Sequence, residues 1–423
     1  MATTTLSYQH VETGVMRRRI AMGITFSIIA LLIVLLFAIP LSPQLKTEFA
    51  MAPGGITRGL VPNWFAPAKT VTIICAVLAS ILAVLQLGIG FRKWTNFVLL
   101  VEVLLFLFAF LTFSAAGKML NIGGMLSNAL LFSVPIVLGS FSGLLCERSG
   151  VVNIAIEGMM LMGAMVGVLI GSITKNMWIG LVCAMASGVL MGGILAVLSI
   201  KYKVNQIIAG TVINIFATGL TSYISSKFLQ VYQHLNSAPI FPRIPIPLLA
   251  DIPLIGPIFF NQNLFVYGMY LLFIILQIAL FQTRWGLRLR SVGEHPKAAD
   301  TLGINVFKTR YMAVLLGGLV AGFAGGYFTL GSVGRFDEMM TAGKGFIGLA
   351  ALNFGNWIPG GCFGAGLIFG FFDTFGTILA ILGSAVPPQF MAMLPYLATM
   401  IILAGVVGKG RMPAADGTPY EKE

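Results

Sequence analysis

Charge is what this sequence has least of. Only 9% of its 423 residues are Asp, Glu, Lys or Arg, against about 25% in a soluble domain, while 57% are hydrophobic. That excludes a soluble globular chain and predicts a polytopic membrane protein, so a soluble-domain count by length does not apply. Cysteine is scarce as well. Cys75, Cys146, Cys183 and Cys362 fall in or beside apolar runs with no CxxC pair, which reads as small core residues rather than disulfides or a metal site. His10, His234 and His295 are too scattered to form a cluster. No HExxH, GxSxG, GxxxxGKS or GxxxxGKT occurs. Gly139-Ser140-Phe141-Ser142-Gly143 has Phe at the serine position of a nucleophile elbow, and Gly343-Lys344-Gly345 lacks the earlier glycine of a phosphate loop. The chain is therefore not read as an enzyme, and no cofactor, metal or ATP site is read in it.

What charge there is has a pattern. The net +12 suits nucleic acid by sign alone. The basic residues instead sit in short loops between apolar spans, the positive-inside arrangement of a membrane protein, and nucleic acid is excluded as a partner. Arg17, Arg18 and Arg19 precede an apolar run from Ile20 to Pro40. No small-x-small cleavage site follows, so this is an uncleaved first helix with a cytoplasmic N-terminus, preceded by a loose polar tail over 1–16. Residues 41–68 are predicted as an outside loop. Further spans are predicted at 69–90, 96–114 (with Glu102), 125–145, from Ile156, 177–200, 205–224, 264–282, 311–330, 362–383 and 391–408. Arg92 and Lys93, Lys201 and Lys203, the loop 283–310, and Lys409 with Arg411 all fall on the inside. Residues 225–263 form the longest outer loop, stiffened by six prolines from Pro239 to Pro257; it is a structured cap or a docking surface for an outside partner. The run 345–353 is short of the ~20 residues a crossing needs; it is either the weakest of twelve crossings or a half-helix that re-enters. The fold class is thus all-α and polytopic, with 10–12 transmembrane helices, interrupted or re-entrant segments, and both termini cytoplasmic. Residues 1–115 form a tail plus three helices, 116–411 a core, and 412–423 a cytoplasmic tail.

The polar residues inside these spans carry the chemistry. From Ser142 to Gly163 the sequence places Glu147, Arg148, Ser149, Gly150, Asn153 and Glu157 within apolar surroundings. Each ionised group at the bilayer centre costs roughly 2.5–3.5 kcal/mol on insertion scales, so the helix must break there beside protein, water or headgroups. A second break, Asn353 to Gly361, loosely mirrors the first and includes Asn356; transporters often build their path from such interrupted helices. With Asn205, Thr211, Asn214 and Asp373 these residues are candidates for a polar substrate path, although each Asn also suits a cap or an interhelical hydrogen bond. Glu157, one turn into its helix, complements that helix N-terminus, a role placed ahead of substrate contact. Asp373 sits mid-span and needs a buried partner or a proton. Glu102 lies where it can reach toward the cytoplasmic interface. Glycines four apart, as in Gly163, Gly167, Gly171 and Gly318, Gly322, Gly326, serve close helix packing. In the basic loop, Pro296 is a good first helical residue and Gly303 a natural stop. A helix of about two turns projects there, fitted for a protein groove more than for headgroups, since it lacks Trp, Phe or Leu on its face.

Three stretches resemble the permease subunits of bacterial ABC importers for simple sugars and nucleosides. They are Glu147–Met160, ERSGVVNIAIEGMM; Val292–Ile304, VGEHPKAADTLGI; and Thr341–Ile347, TAGKGFI, followed by the break ending at Pro359. Cys146 stands where the family often has serine and His295 where Asn is common. The wording of the first stretch is closest to the nucleoside branch, with simple sugars or a flavin as alternatives. The resemblance covers about 125–408; the first three segments exceed the short family members. It implies a bacterial plasma-membrane permease that pairs with a second permease, often a different chain. A cytoplasmic ATPase binds the ATP, and an extracytoplasmic binding protein or lipoprotein delivers a small-molecule substrate. It also implies that Gly293, Glu294, Pro296, Ala298, Ala299 and Gly303 belong to the helix that contacts the ATPase. An ion- or proton-driven carrier needs a chain of intramembrane ionisable groups, and a lipid enzyme needs a catalytic pair at one interface; neither is seen. Replacing Ala298 and Ala299 with bulky charged residues is expected to uncouple ATP hydrolysis from transport while sparing membrane insertion. ATPase stimulation by the loaded binding protein, measured in that variant and unchanged, would count against docking.

Overall fold

The computed structural model describes residues 2–54, 61–383, 390, 393 and 412–422. Among these, ten helices are long and apolar enough to cross a membrane. The chain forms two compact units, one of residues 1–125 and 376–391, the other of 126–375 and 392–423. The span predicted at 391–408 lies outside the described residues.

The first unit contains α1 (Ala2–Leu32, continued by a π-helical turn to Ala38), α2 (Ala68–Gly88) and α3 (Thr95–Ser114). Residues 2–16, expected to be loose, continue α1; Gly14 is the one breaker among them and does not stop a helix. The loop 41–68, predicted to lie outside, also departs from expectation in its structure. Strands β1 (Lys46–Ala50) and β2 (Trp64–Pro67) pair antiparallel, and β3 (Met119–Asn121) adds to β1 in parallel with Phe49 opposite Leu120. Phe49 is buried and stacks on Trp64 at 5.2 Å between ring centres, which fixes the register of a sheet too small to stand alone. The fold is therefore mostly rather than wholly helical. Glu102 is buried, and neither carboxyl oxygen has a hydrogen-bond partner among the described residues.

The second unit is built on α4 (Ile122–Glu147), α5 (Ile156–Thr174), α6 (Met177–Ala196), α7 (Gln206–Ile224), α9 (Leu264–Gln282), α12 (Val306–Phe328) and α14 (Pro359–Ile381). Short pieces connect them: α8 (Ile255–Phe259), the two-residue strands β4 (Ile244–Pro245) and β5 (Asn261–Gln262), α10 (Arg284–Glu294), α11 (Pro296–Thr301) and α13 (Lys344–Phe354). The loop 283–310 is thus a helical hairpin. Thr283 caps α10 by accepting from Gly286 N at 3.1 Å, and Leu289, Val292 and Gly293 face inward while Arg284 and Arg288 stay outside and Arg290 is half-buried over the Phe281 ring. This amphipathic helix hid behind its arginines in the sequence.

Glycine sets how closely the core helices approach. A Cβ on Gly163 would lie 2.8 Å from the Gly322 carbonyl oxygen, and one on Gly322 would lie 2.9 Å from the Met185 Cα and closer still to the Ala184 oxygen. Both neighbours are backbone and cannot move aside. In lipid, where apolar surface gains little by leaving its solvent, such contact supplies the helix association. Gly322→Ala is expected to cost about 1–3 kcal/mol of stability by overpacking, whereas Gly219→Ala, with no atom within 4 Å of the new Cβ, should be neutral. Denaturant unfolding of the purified protein in detergent checks the pair.

Candidate functional site

The site is a break in the helix ladder between α4 and α5, and its backbone groups can be followed one by one. α4 stops because Gly150 takes a left-handed conformation at φ 85°, with Gly150 N donating to Glu147 O at 2.9 Å and Val151 N to Cys146 O at 3.2 Å. A side chain there is excluded twice, since a Cβ would also sit 2.8 Å from the Arg310 guanidinium. Around this turn side chains supply further partners, two of them from distant parts of the chain. Arg310 Nε donates to Ser149 O at 3.1 Å, Val152 N donates to Gln206 Oε1 at 2.7 Å, and Ala155 N donates to Asn153 Oδ1 at 3.1 Å. Asn214, from α7, spans the remaining gap. Its Nδ2 donates to Ile154 O at 2.9 Å and its Oδ1 accepts from Gly158 N at 2.8 Å. A broken helix at membrane depth is tolerable only with such bookkeeping of donors and acceptors.

The second break packs onto the first. α13 has 11 residues and advances about 16 Å, roughly half of a bilayer core. It begins beside Glu157 and ends beside Glu147 and Arg148. At its start the Glu157 carboxylate accepts from Thr341 Oγ1 (2.6 Å), Gly343 N (2.8 Å) and Gly345 N (2.7 Å). So Glu157 lies in the first turn of its own helix but serves the N-terminus of another, where the helix dipole favours an anion. At the far end, Trp357 Nε1 donates to Glu147 Oε2 at 2.6 Å, and the Arg148 guanidinium donates to Trp357 O at 2.8 and 2.5 Å. Asn356 and Trp357 both have positive φ, 54° and 53°, a conformation that costs about 1–3 kcal/mol each and holds only where neighbours enforce it. Glu147 and Arg148 are those neighbours.

The predicted polar residues therefore separate. Asn153, Glu157, Asn214 and Asn356 gather around the paired breaks. Asn153 is fully buried, its Nδ2 3.4 Å from Cys146 Sγ. Asn205 caps α7, accepting from Ile207 N at 3.0 Å and Ile208 N at 3.2 Å. Thr211 and Asn353 are exposed on α7 and α13. Asp373 has an ion-pair partner, Lys344 at the start of α13, and both side chains are half-buried rather than buried. Gln206, Arg310, Thr341, Lys344 and Trp357 were missed. Pairing a mid-span acid with a base in the same apolar region was the one signal for Lys344; the others are brought in from distant sequence and gave none.

The α10–α11 hairpin sits directly on the break. A Cβ on Gly293 would lie 2.9 Å from the Arg148 carbonyl carbon and 3.4 Å from Gly150 N, so α10 rests on the Arg148–Gly150 backbone. Burial lowers the pKa of Arg148, with Glu294 raising it in part and Arg290 lowering it further. α11 starts at Pro296 behind a His295 cap, Nδ1 accepting from Ala298 N at 3.1 Å, and ends ahead of Gly303 at φ 80°. Ala298 is exposed, but Ala299 is buried, packed with Val292, Val306 and Tyr420. Leu302 is 81% exposed, an apolar knob at the tip that the sequence reading passed over. A charged residue at Ala299 would disturb the fold before it reached a partner, so Ala298 and Leu302 are the cleaner probes of docking.

Interrupted helices packed inside an apolar bundle, with a short helical hairpin fixed to the interruption, are the build of a membrane transport permease. Residues 125–404 match the family described as branched-chain amino acid transport system, permease component. The chain is 40% identical over 309 residues to the guanosine ABC transporter permease protein NupQ of Bacillus subtilis (strain 168), covering 69% of this chain and 95% of that one. It is 38% identical over 309 residues to the nucleoside ABC transporter permease protein NupC of Lactococcus lactis subsp. cremoris (strain MG1363), covering 70% and 96%. It is 25% identical over 295 residues to the glucose ABC transporter permease protein TsgB13 of Haloferax volcanii, covering 66% and 75%. No solved structure matches significantly. The protein belongs to this family of ABC transporter permeases, transport components that span the membrane several times.

Glu157→Ala removes the acceptor of three donors at once. It is expected to destabilise the protein by about 2–4 kcal/mol, since hydrogen bonds to charged groups contribute about 1.5–3 kcal/mol each and are not additive. Glu157→Gln, which keeps one acceptor oxygen, should lose less. Thermal unfolding in detergent measures both, and equal Tm values for all three proteins would remove Glu157 as the anchor of α13.

Proposed function

We propose that this chain is the permease subunit of an ATP-driven importer for nucleosides in a bacterial plasma membrane. The observation that carries the reading is the 40% and 38% identity to the guanosine and nucleoside permeases over nearly their whole length. The lower identity to a glucose permease keeps simple sugars as the second reading. The partners proposed are a cytoplasmic ATPase, a second permease, an outside binding protein, and lipid around the bundle. ATP is bound by the ATPase, not by this chain.

The topology proposed has both ends cytoplasmic. The irregular stretch 334–343 and α13 together make one crossing, which adds to the ten long helices; the stretch 391–408 lies outside the described residues. On this reading α11 lies on the cytoplasmic side and enters a groove of the ATPase, with Ala298 and Leu302 facing it. The residues Gly293, Glu294, Pro296, Ala299 and Gly303 shape and seat that helix. ATP-driven closure of the ATPase displaces α11, and Gly293 bearing on Arg148–Gly150 passes the displacement to the paired breaks. These move α4–α5 against α13–α14 and alternate the bundle between outward and inward states.

Among the polar candidates, Thr211, Asn353 and the Asp373–Lys344 pair are assigned to the substrate path, because they retain exposed surface. Asn153, Glu157, Asn205 and Asn214 are assigned to holding the path open, because the contacts described above engage them within the chain or bury them, and Asn356 because its positive φ shapes the second break. The reconstituted complex in vesicles is expected to accumulate labelled guanosine only with ATP, and excess glucose should not compete. Asp373→Asn with Lys344→Met should lower uptake about tenfold, the loss of roughly 1.4 kcal/mol of binding. Uptake of a sugar but not a nucleoside would overturn the substrate, and uptake driven by an ion gradient without ATP would overturn the class.

A further inference from the structure

The C-terminal segment, Met412 to Lys422, lies far in sequence from the docking hairpin and is seated on it. Ala415 N donates to Gly293 O at 2.9 Å, and Ala414 N donates to Glu294 Oε2 at 3.3 Å. Tyr420 is buried with Val292, Ala299 and Val306, its ring 5.4 Å from that of Phe307. Lys203, after α6, pairs with Glu421 at 2.5 Å, and Lys422 lies 3.7 Å from Asp300 on α11. These two pairs are exposed or partly exposed and hold little by themselves. Tyr420 and Arg310 hold the segment. Arg310 is 2% exposed, and its guanidinium donates from Nε to Ser149 O in the break and from Nη1 to Thr418 O in the segment, at 3.1 and 3.0 Å. One buried cation therefore grips the break and the C-terminal segment together. Asp416 is buried beside Glu147 and Arg310, and burial pushes its carboxyl up to about 7.

We infer that the C-terminal segment is a strap that makes the docking hairpin and the break move as one body, so that displacement of α11 enters the membrane only while the strap is seated. This rests on the reading of α11 as the ATPase-docking helix. The physical need is plain. α10 and α11 meet at the non-helical His295, and α11 has only six residues. Gly293 transmits a push onto Arg148 but offers no grip for a pull. The strap adds that grip: Tyr420 anchors the hairpin side, Arg310 the break side, and the peptide from Ala415 to Tyr420 joins them.

The test uses the full transport complex in vesicles, with the permease ending at Arg411, with Tyr420→Ala, and with Tyr420→Phe. Three quantities are read: ATPase retained on the purified complex, ATP hydrolysed, and substrate taken up per ATP. With the strap removed or unseated, the ATPase is expected to stay bound and to hydrolyse ATP, while uptake per ATP falls roughly fivefold or more, the low end of measured coupling between sites. Tyr420→Phe should restore coupling, because the ring provides the packing. Unchanged uptake per ATP in the shortened protein would overturn the strap, as would loss of the ATPase from it, which would make the segment part of the docking surface. If the shortened protein does not assemble, Tyr420→Ala decides by the same readings. A wild-type complex that neither holds nor uses an ATPase would instead sink the functional reading on which the strap rests.

Discussion

A peptide group in an apolar interior must find a partner inside the protein, because no water is there to serve. This chain breaks two helices inside its bundle and thereby frees several such groups in one place. The two breaks answer each other. Glu157, at the start of α5, gathers three donors at the mouth of α13, while Glu147 and Arg148, at the end of α4, hold Trp357 at its other end. Without the carboxylate, α13 would begin with unpartnered N–H groups in a low-dielectric setting, and the half-helix would have no reason to stop and start where it does.

Other features follow from that constraint. Asn214 and Gln206 must come from α7, because the α4–α5 connection cannot satisfy itself. α7 must therefore lie close, and Gly158 and Gly210 remove the side chains that would keep it away. The glycine contacts among α5, α6 and α12 fix the wall against which the break is built. A bundle held by backbone contact deforms little within its helices, so a displacement applied at one end moves helices as units.

The placement of the α10–α11 hairpin ties a surface helix to this geometry. Gly293 lies on the carbonyl of Arg148, and Arg148 holds the carbonyl of Trp357. Three residues thus connect a surface helix to the start of α14. The chain has no phosphate loop, and its relatives are permeases of ABC transporters. The contacts give a direct route from α10 to the second break.

Composition and hydropathy alone fixed that the chain is a helical membrane protein and where most spans lie, since an apolar helix in lipid satisfies its own backbone whatever its neighbours do. The position of the first break was also legible, because ERSGVVN cannot continue through lipid intact. So were the start and stop of α11, set by Pro296 and Gly303 through local dihedral preference. Partners were not legible. That Glu157 serves the N-terminus of α13 rather than its own helix, that Lys344 neutralises Asp373, and that Arg310 joins Ser149 to Thr418 each depend on residues 29 to 188 positions apart in the chain. Periodicity and local preference report what a segment does alone. Where the backbone leaves regular structure, its needs are met by whatever the fold brings near, and only the tertiary structure decides that.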